Sequence, residues 1–379
     1  MAESQETAGL VTVYQEHPLD LDHSDNIRLV RLSPKPSPEE FASEIRVEIE
    51  SVPFRYAPPY LALSYVWGSP DDVKTISLSG RPIDIRVNLW DFLNRFRASG
   101  NLEYIWADAL CIDQSSNAER SHQVALMGQI FSRANRVIAW LGAGPPELVH
   151  AFRQLSNLGL VETLKQFDQN RALIKLHGPT LREASYWRRA WIIQEYILAQ
   201  KVDFWCGDAR MDGETQELCA RMLWNTVLDE DSGLYELARL RQAYQNGQNE
   251  AQDLAHVLSA LSMHTRKCVD ARDRIYAILS LVNLKALEKF PIVVDYNLSP
   301  ISLHGELMHR HTKQLVREPD GTIPLSQFSA LVLDVLGLQR RQDLAEASLG
   351  GPPSQTGLED VVTYSARRHA QSMNLYYTR

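Results

Sequence analysis

The stretch Tyr60-Leu-Ala-Leu-Ser-Tyr-Val-Trp-Gly68 decides the fold of this chain. From Leu61 to Val66 the residues are almost continuously apolar, which is typical of a central strand covered on both faces of a sheet. Strands of this kind belong to parallel sheets, whose crossover helices cover both faces. The first buried strand of the chain is therefore predicted to end at Trp67 and Gly68.

Apolar runs of the same kind return further along the chain. Segments 104–110, 137–141 and 202–206 predict three more buried strands. Helical patterns separate them, among them a helix that opens at the capping box Ser116-Asn-Ala-Glu119 and a helix over 186–199 that is apolar nearly all round. Strands that alternate with helices are typical of a parallel sheet with right-handed crossovers. We therefore predict an α/β fold with a parallel sheet flanked by helices.

Smaller elements surround this predicted core. Residues 27–32 and 44–49 alternate between apolar and polar side chains, which predicts two half-buried strands in a small N-terminal β extension. Residues 73–87 predict a hairpin that turns at Ser79-Gly80. Asn88 is predicted to cap the helix that follows this hairpin.

The predicted organisation has four segments. After Asp212 the patterns become mainly helical, and beyond about residue 317 they weaken. The segments are a polar leader at 1–26, an α/β core at 27–210, a mainly helical C-terminal part at 211–317 and a weakly structured tail at 318–379.

Composition limits the class of protein. The chain has 379 residues, of which 44% are hydrophobic and 23% charged, with a formal net charge of -8. The negative charge argues against nucleic-acid binding through phosphate contacts. No apolar run approaches the ~18 residues of a membrane span, and the polar start of the chain is unlike a secretory signal. The four cysteines lack metal-binding spacing, so we expect free buried thiols in a cytoplasmic protein without a bound metal.

Three segments combine tryptophan and apolar residues with Asp, Gln or Glu, which an ordinary core does not need. They are 60–68, 106–114 and 186–195. Burying such polar groups costs free energy unless partners are supplied. In a doubly wound sheet, ligands bind beyond the carboxyl ends of the parallel strands. We therefore predict that Trp67, Gln114 and Glu195 line one cleft at that edge.

Glu195 is the first candidate for chemistry because its predicted helix is otherwise apolar. It follows Trp191 by one turn and Arg188 by two, so the three are expected on one helix face. A carboxylate in such a place is either paired with a buried arginine or kept for function. The sequence leaves both interpretations open.

The other acidic and nucleophilic candidates have simpler explanations. Glu119 is expected to bond to the backbone N–H of Ser116 in the capping box, without a catalytic role. Asp108 lies inside a predicted strand, where it either ties down the next loop through backbone N–H groups or takes part in catalysis. A carboxylate pair for glycoside hydrolysis has no other sugar-site feature beside it. Cys111 as a nucleophile needs a histidine, and His122 falls on the following helix, which disfavours a Cys–His hydrolase.

The three segments resemble the fungal heterokaryon incompatibility domain, the HET domain. The resemblance rests on three blocks in the same order, with Asp113 standing where the family usually has Asn. It extends over roughly residues 27–310, and 270–276 also contributes. The blocks are Leu63-Ser-Tyr-Val-Trp-Gly68, Trp106-Ala-Asp-Ala-Leu-Cys-Ile-Asp-Gln114 and Trp187-Arg-Arg-Ala-Trp-Ile-Ile-Gln-Glu195.

The resemblance implies a fold and a function. HET domains are distant relatives of TIR domains, so it implies a TIR-like, flavodoxin-like sheet and a role in non-self recognition that triggers programmed cell death. In enzymatic TIR domains a glutamate assists cleavage of the nicotinamide–ribose bond of NAD, and Glu195 matches it by position. NAD would then be a substrate, with no cofactor required. The alternative is a non-enzymatic scaffold that self-associates or binds a protein partner. The sequence contains no P-loop motif, which would have favoured a nucleotide-regulated receptor. The candidate site consists of Glu195 as the catalytic residue, with Tyr65, Trp67, Gly68, Asp108, Cys111, Gln114 and Trp191 as substrate-binding residues.

Overall fold

The computed structural model describes residues 13–21, 25–34, 44–156, 164–217, 233–247, 254–261, 263–282, 292–317 and 323–338. The chain forms two compact units, Met1–Asn249 and Glu250–Arg379. The first unit contains a nine-stranded sheet flanked by helices. The fold is therefore α/β, as the alternation of strands and helices predicts.

The strands of the sheet follow one another in the order β5-β4-β2-β1-β6-β3-β7-β8-β9. Central strand β3 is buried at every position, as its apolar sequence predicts. The strands are β1 Asn26–Leu32, β2 Arg46–Pro53, β3 Tyr60–Tyr65, β4 Val73–Leu78, β5 Arg81–Arg86, β6 Tyr104–Trp106, β7 Arg136–Trp140, β8 Val202–Cys206 and β9 Ala209–Asp212.

The sheet is mixed, so the predicted parallel sheet is found in its centre and not throughout. The four central strands β6, β3, β7 and β8 are parallel to their neighbours among these four. On the flanks β1 is antiparallel to β2 and β6, β4 is antiparallel to β5, and β8 is antiparallel to β9. Strands β4 and β5, and likewise β8 and β9, are joined by tight turns, which impose antiparallel pairing. The TIR-like and flavodoxin-like assignment remains a prediction.

Helices cover both faces of the central strands. Neighbouring residues of a strand point to opposite faces. In β8 the ring of Trp205 lies 5.9 Å from that of Phe92 in α1, and the ring of Phe204 lies 6.0 Å from that of Tyr196 in α6. The helices of the first unit are α1 Val87–Ala98, α2 Asp108–Cys111, α3 Asn117–Arg133, α4 Pro146–Ser156, α5 Leu164–Arg182, α6 Ile192–Ile197 and α7 Gly233–Gln245.

Two predicted elements are shorter than their apolar patterns. Strand β6 ends at Trp106, and Asp108 begins the short helix α2, so Asp108 does not lie inside a strand. The predicted helix over 186–199 is broken, because Ser185–Arg188 is a 3-10 turn and α6 starts only at Ile192. Arg189 lies between them with an extended backbone, φ -73° and ψ 146°. Apolar content alone cannot reveal such a break.

The second unit is helical where it is described. Its helices are α8 Leu254–Ala260, α9 Asp273–Tyr276, α10 Pro300–Arg317 and α11 Leu325–Val335. Helix α11 falls in the segment predicted to be a weakly structured tail, and residues 339–379 lie outside the described ranges. Among the described residues, no helix combines the length and apolar character needed to cross a membrane.

Candidate functional site

Glu195 lies at the bottom of a polar cluster at the carboxyl end of β3. Its carboxylate accepts a hydrogen bond from Ser64 Oγ, and Ser64 Oγ also lies 2.7 Å from Tyr186 Oη. Ser64 is fully buried, and Glu195 and Tyr186 are 2% and 1% exposed. Strand β3 supplies Ser64 and helix α6 supplies Glu195, so the sheet and its covering helix meet at this carboxylate.

Arg189 is the cation that pairs with Glu195. Its Nη1 and Nη2 atoms donate to the two carboxylate oxygens over 3.1 and 3.4 Å. Arg188, which was expected on the same helix face as Glu195, is exposed instead. Burial raises the pKa of Glu195, while Arg189 and the Ser64 hydroxyl act to lower it. The break in the predicted helix places Arg189 where it can reach this acid.

Asp108 is a second carboxylate close to Arg189. Its Oδ2 accepts from Trp67 Nε1 at 2.7 Å, and its Oδ1 accepts from the backbone N–H of Ala109 at 2.8 Å. Burial raises its pKa, and the charge of Arg189 and a hydrogen bond from Tyr65 oppose that shift. Asp108 therefore ties down its own loop, as one of the two interpretations of the sequence predicted, and also orients the Trp67 ring.

The remaining predicted residues extend this cluster. Gln114 Nε2 donates to the backbone carbonyl of Asp108 over 3.1 Å. Gly68 follows Trp67 with φ +85°, and its carbonyl accepts from Arg86 Nη1 at 2.9 Å. The Arg86 guanidinium lies 5.0 Å from the Trp67 ring centroid. Trp67 and Gln114 therefore meet at Asp108, and Glu195 is linked to them through Arg189.

The cluster has a buried part and a half-buried part. Ser64, Tyr65, Tyr186 and Glu195 are buried. Half-buried residues lie next to them: Trp67, Asp108, Gln114, Arg189 and Trp191. The backbone carbonyl of Trp191 accepts from the Glu195 N–H at 3.2 Å, which fixes the start of α6.

Asn88 is a positioning residue whose role the sequence patterns missed. It does not cap α1, whose N-cap residue is Arg86. Its Nδ2 donates instead to the carbonyl of Val66 at 2.6 Å, and its Oδ1 accepts from Trp140 Nε1 at 2.9 Å. Gly142, whose φ is +97°, lies close to the same amide. A Cβ added to Gly142 would be 3.3 Å from Asn88 Oδ1. Asn88 thus ties the end of β3 to β7, and no sequence signal marks this role.

Cys111 is a packing residue. It is fully buried, and burial raises the pKa of its thiol to about 12. Its Sγ accepts from the Ala107 N–H at 3.4 Å, while His122 Nδ1 lies 3.1 Å from Gln123 Nε2. Thiol nucleophiles need a lowered pKa. The geometry therefore agrees with the expectation that Cys111 and His122 are not a catalytic pair.

Glu119 corrects a second prediction. Ser116 Oγ does cap α3 by accepting from the Glu119 N–H at 3.3 Å. The Glu119 carboxylate, however, binds Arg28 at 2.5 and 3.1 Å and the Asp113 N–H at 2.5 Å, whereas the Ser116 N–H donates to the Asp113 carbonyl. The expected bond from Glu119 to Ser116 N–H is therefore wrong. The buried arginine 91 positions earlier takes the carboxylate.

The segment predicted to be a polar leader also reaches this loop. Residues 13–16 form a helical turn in which Val13 and Tyr14 are buried. Tyr14 Oη donates to the Leu110 carbonyl at 3.3 Å, and the Arg28 guanidinium lies 4.6 Å from the Tyr14 ring centroid. Arg28 also donates to the Cys111 carbonyl at 3.2 Å. The loop after β6 is thus fixed by residues far earlier in the chain.

Within the described part of the chain, no group of three or more His, Cys, Asp or Glu side chains is arranged to hold a metal ion. Chemistry at this cluster would depend on its two carboxylates, the guanidinium of Arg189 and the hydroxyls of Ser64, Tyr65 and Tyr186. Arg189 pairs with Glu195 and its charge also acts on Asp108, while Arg86 lies beside Trp67. A carboxylate at such a site can stabilise positive charge that develops on a ligand next to it.

Comparison with known proteins identifies the region that holds this cluster. Residues 60–195 match the family described as Heterokaryon incompatibility protein (HET). The chain is also 27% identical to Heterokaryon incompatibility protein 6, OR allele, of Neurospora crassa over 348 aligned residues. That alignment covers 73% of this chain and 50% of the relative, so the chain spans about half the length of the curated protein it matches. The comparison with solved structures finds no match. Residues 60–195, which hold the polar cluster, are therefore similar to the HET family.

Proposed function

We propose that this chain is a fungal incompatibility protein that acts in non-self recognition from the cytoplasm, and that its HET domain triggers cell death. The family match and the name of the Neurospora crassa relative support the first part. The match runs from Tyr60 to Glu195 and so contains every residue of the polar cluster described above. The cluster is therefore where we place the activity of the domain.

The mechanism we favour is cleavage of NAD, and the observation that carries it is that two buried or half-buried acids, Glu195 and Asp108, lie close to one arginine: Arg189 pairs with Glu195, and its charge also acts to lower the pKa of Asp108. Cleavage breaks the bond between ribose C1′ and the nicotinamide nitrogen, and the electron pair leaves with nicotinamide. Water then bonds to C1′ and releases a proton, which gives ADP-ribose. The ribose passes through an oxocarbenium-like state whose positive charge carboxylates stabilise. Trp67 offers an aromatic ring beside Asp108.

A scaffold function is the second candidate, and one observation favours it. Glu195 is saturated by Arg189 and Ser64, as expected of an acid that only stabilises the fold. In this case the domain signals by binding a protein partner or by self-association. Its loops would contribute contacts, and NAD would not be consumed.

One experiment separates the two candidates. The full chain is purified, its assembly state is measured by light scattering, and NAD loss with nicotinamide release is followed over a range of protein concentrations. Stoichiometric formation of nicotinamide and ADP-ribose supports the enzyme. Assembly without NAD consumption, together with cell death on expression in a fungal host, supports the scaffold. No cell death on expression contradicts the proposal that the domain triggers it.

A further inference from the structure

The two carboxylates of the cluster differ in their access to solvent. Glu195 is 2% exposed, and its side chain is 3% exposed within the ion pair, whereas the side chain of Arg189 is 13% exposed. Asp108 is half-buried, like Trp67 beside it. As residues, Asp108, Trp67 and Arg189 are thus more accessible to solvent than Glu195.

The partners of Glu195 also belong to the fold. Ser64 lies in the central strand β3, and its hydroxyl is shared with Tyr186, which is itself buried. Arg189 donates to both carboxylate oxygens of Glu195. A substrate hydroxyl could bind Glu195 only by displacing these groups from a buried position, which would leave polar atoms without partners. Glu195 is therefore well placed to hold Arg189 and poorly placed to hold a ligand.

Resting on the proposed function, we infer that Asp108 is the catalytic carboxylate that meets the ligand. Glu195 is a positioning residue that acts through Arg189. In NAD cleavage, the Asp108 carboxylate stabilises the positive charge on the ribose as the bond from C1′ to nicotinamide breaks. It then accepts the proton of the water that bonds to C1′ and passes this proton to solvent. Glu195 fixes Arg189, and the charge of Arg189 opposes the rise that burial causes in the pKa of Asp108. The Trp67 N–H fixes the orientation of the Asp108 carboxylate at 2.7 Å.

Carboxyl labelling of the wild-type chain tests the placement without any substitution. The folded protein is treated with a water-soluble carbodiimide and glycinamide, and the labelled peptides are identified by mass spectrometry. Asp108 should be labelled in the folded state, and Glu195 only after denaturation. Addition of NAD should protect Asp108. Labelling of folded Glu195 ahead of Asp108 would overturn the inference, and so would labelling of Asp108 that NAD leaves unchanged in a protein that consumes NAD.

Kinetics of matched variants test the roles. Asp108→Asn should lower kcat at least about 100-fold, the usual contribution of a positioned acid or base. The control Asp91→Asn removes another half-buried aspartate that faces an arginine, Arg95 at 4.0 Å, outside the cluster, and should keep wild-type kcat. Glu195→Gln should lower the melting temperature and lower kcat less than Asp108→Asn does. Normal turnover in folded Asp108→Asn would refute the catalytic role.

The pH profile distinguishes a positioning role for Glu195 from a merely structural one. Removal of the Glu195 charge takes a negative charge away from Asp108 and leaves the charge of Arg189 without its carboxylate partner, and both changes lower the pKa of Asp108. The acidic limb of kcat in Glu195→Gln should therefore move to lower pH. An unchanged limb would reduce Glu195 to a structural residue and contradict the inference. If the wild-type chain consumes no NAD, the enzymatic mechanism of the proposed function fails, and the labelling result still decides which acid faces solvent.

Discussion

Replacement of Glu119 by Gln should destabilise the first unit strongly. Arg28 and Glu119 are 1% and 9% exposed at their side chains and form a two-point contact at 2.5 and 3.1 Å. The substitution keeps the shape of the side chain but leaves the guanidinium charge of Arg28 without a buried counter-charge. Breaking a buried pair in this way costs roughly 3–5 kcal/mol. Because Arg28 keeps the carbonyls of His17 and Cys111 as acceptors, we expect a loss near the lower end, about 3 kcal/mol.

The assay is urea unfolding of a double-mutant cycle. Wild type, Glu119→Gln, Arg28→Met and the double variant are unfolded under one buffer condition, and the free energies of unfolding are compared. If the ion pair is the cause, the double variant should be less destabilised than the sum of the single variants by more than about 1.5 kcal/mol. Additivity within about 0.5 kcal/mol would refute the reasoning, and a single Glu119→Gln that unfolds like wild type would do the same.

Four further outcomes follow from the described contacts. Ser116→Ala removes the N-cap acceptor of α3 and should cost about 1 kcal/mol in urea unfolding. Gly142→Ala places a side chain at φ +97° and against Asn88 Oδ1, so it should lower the free energy of unfolding by roughly 1–3 kcal/mol. The control Gly80→Ala, at φ +79° with nothing within 4 Å, should lower it less. Equal losses would show that the contact with Asn88 contributes nothing. The Cys111 thiol should stay unmodified by a disulfide reagent at pH 7 until the protein unfolds, because burial raises its pKa to about 12; rapid labelling of the native peptide would contradict this. Burial raises the pKa of Glu195, so this group stabilises the fold below its unfolded pKa, and that contribution is lost as pH rises through its folded pKa. Over this pH window the free energy of unfolding of Glu195→Gln should therefore fall less than that of wild type. Parallel curves of unfolding free energy against pH would refute the shift.

The sequence by itself determined the buried strands and the outline of the fold. Strand β3 is almost continuously apolar and is buried throughout, and the apolar residues Val124, Met127 and Phe131 of α3 are buried. Burial removes apolar side chains from water, so a chain that forms a core repeats its apolar residues with the spacing of the strand or helix they belong to. This repeat can be recognised from neighbouring residues alone. The polar residues beside tryptophan likewise indicated that a cluster would form at the ends of these strands.

Only the tertiary structure decided which groups pair. Glu195 binds Arg189 rather than Arg188, because the backbone leaves the helix at Arg189. Glu119 binds Arg28, which lies 91 positions away, and the flanks of the sheet mix antiparallel pairs with one parallel pair, β2 with β4. Ion pairs and hydrogen bonds depend on distances of about 3 Å between side chains. Such distances exist only after the chain has folded, and no periodic pattern in the sequence records them.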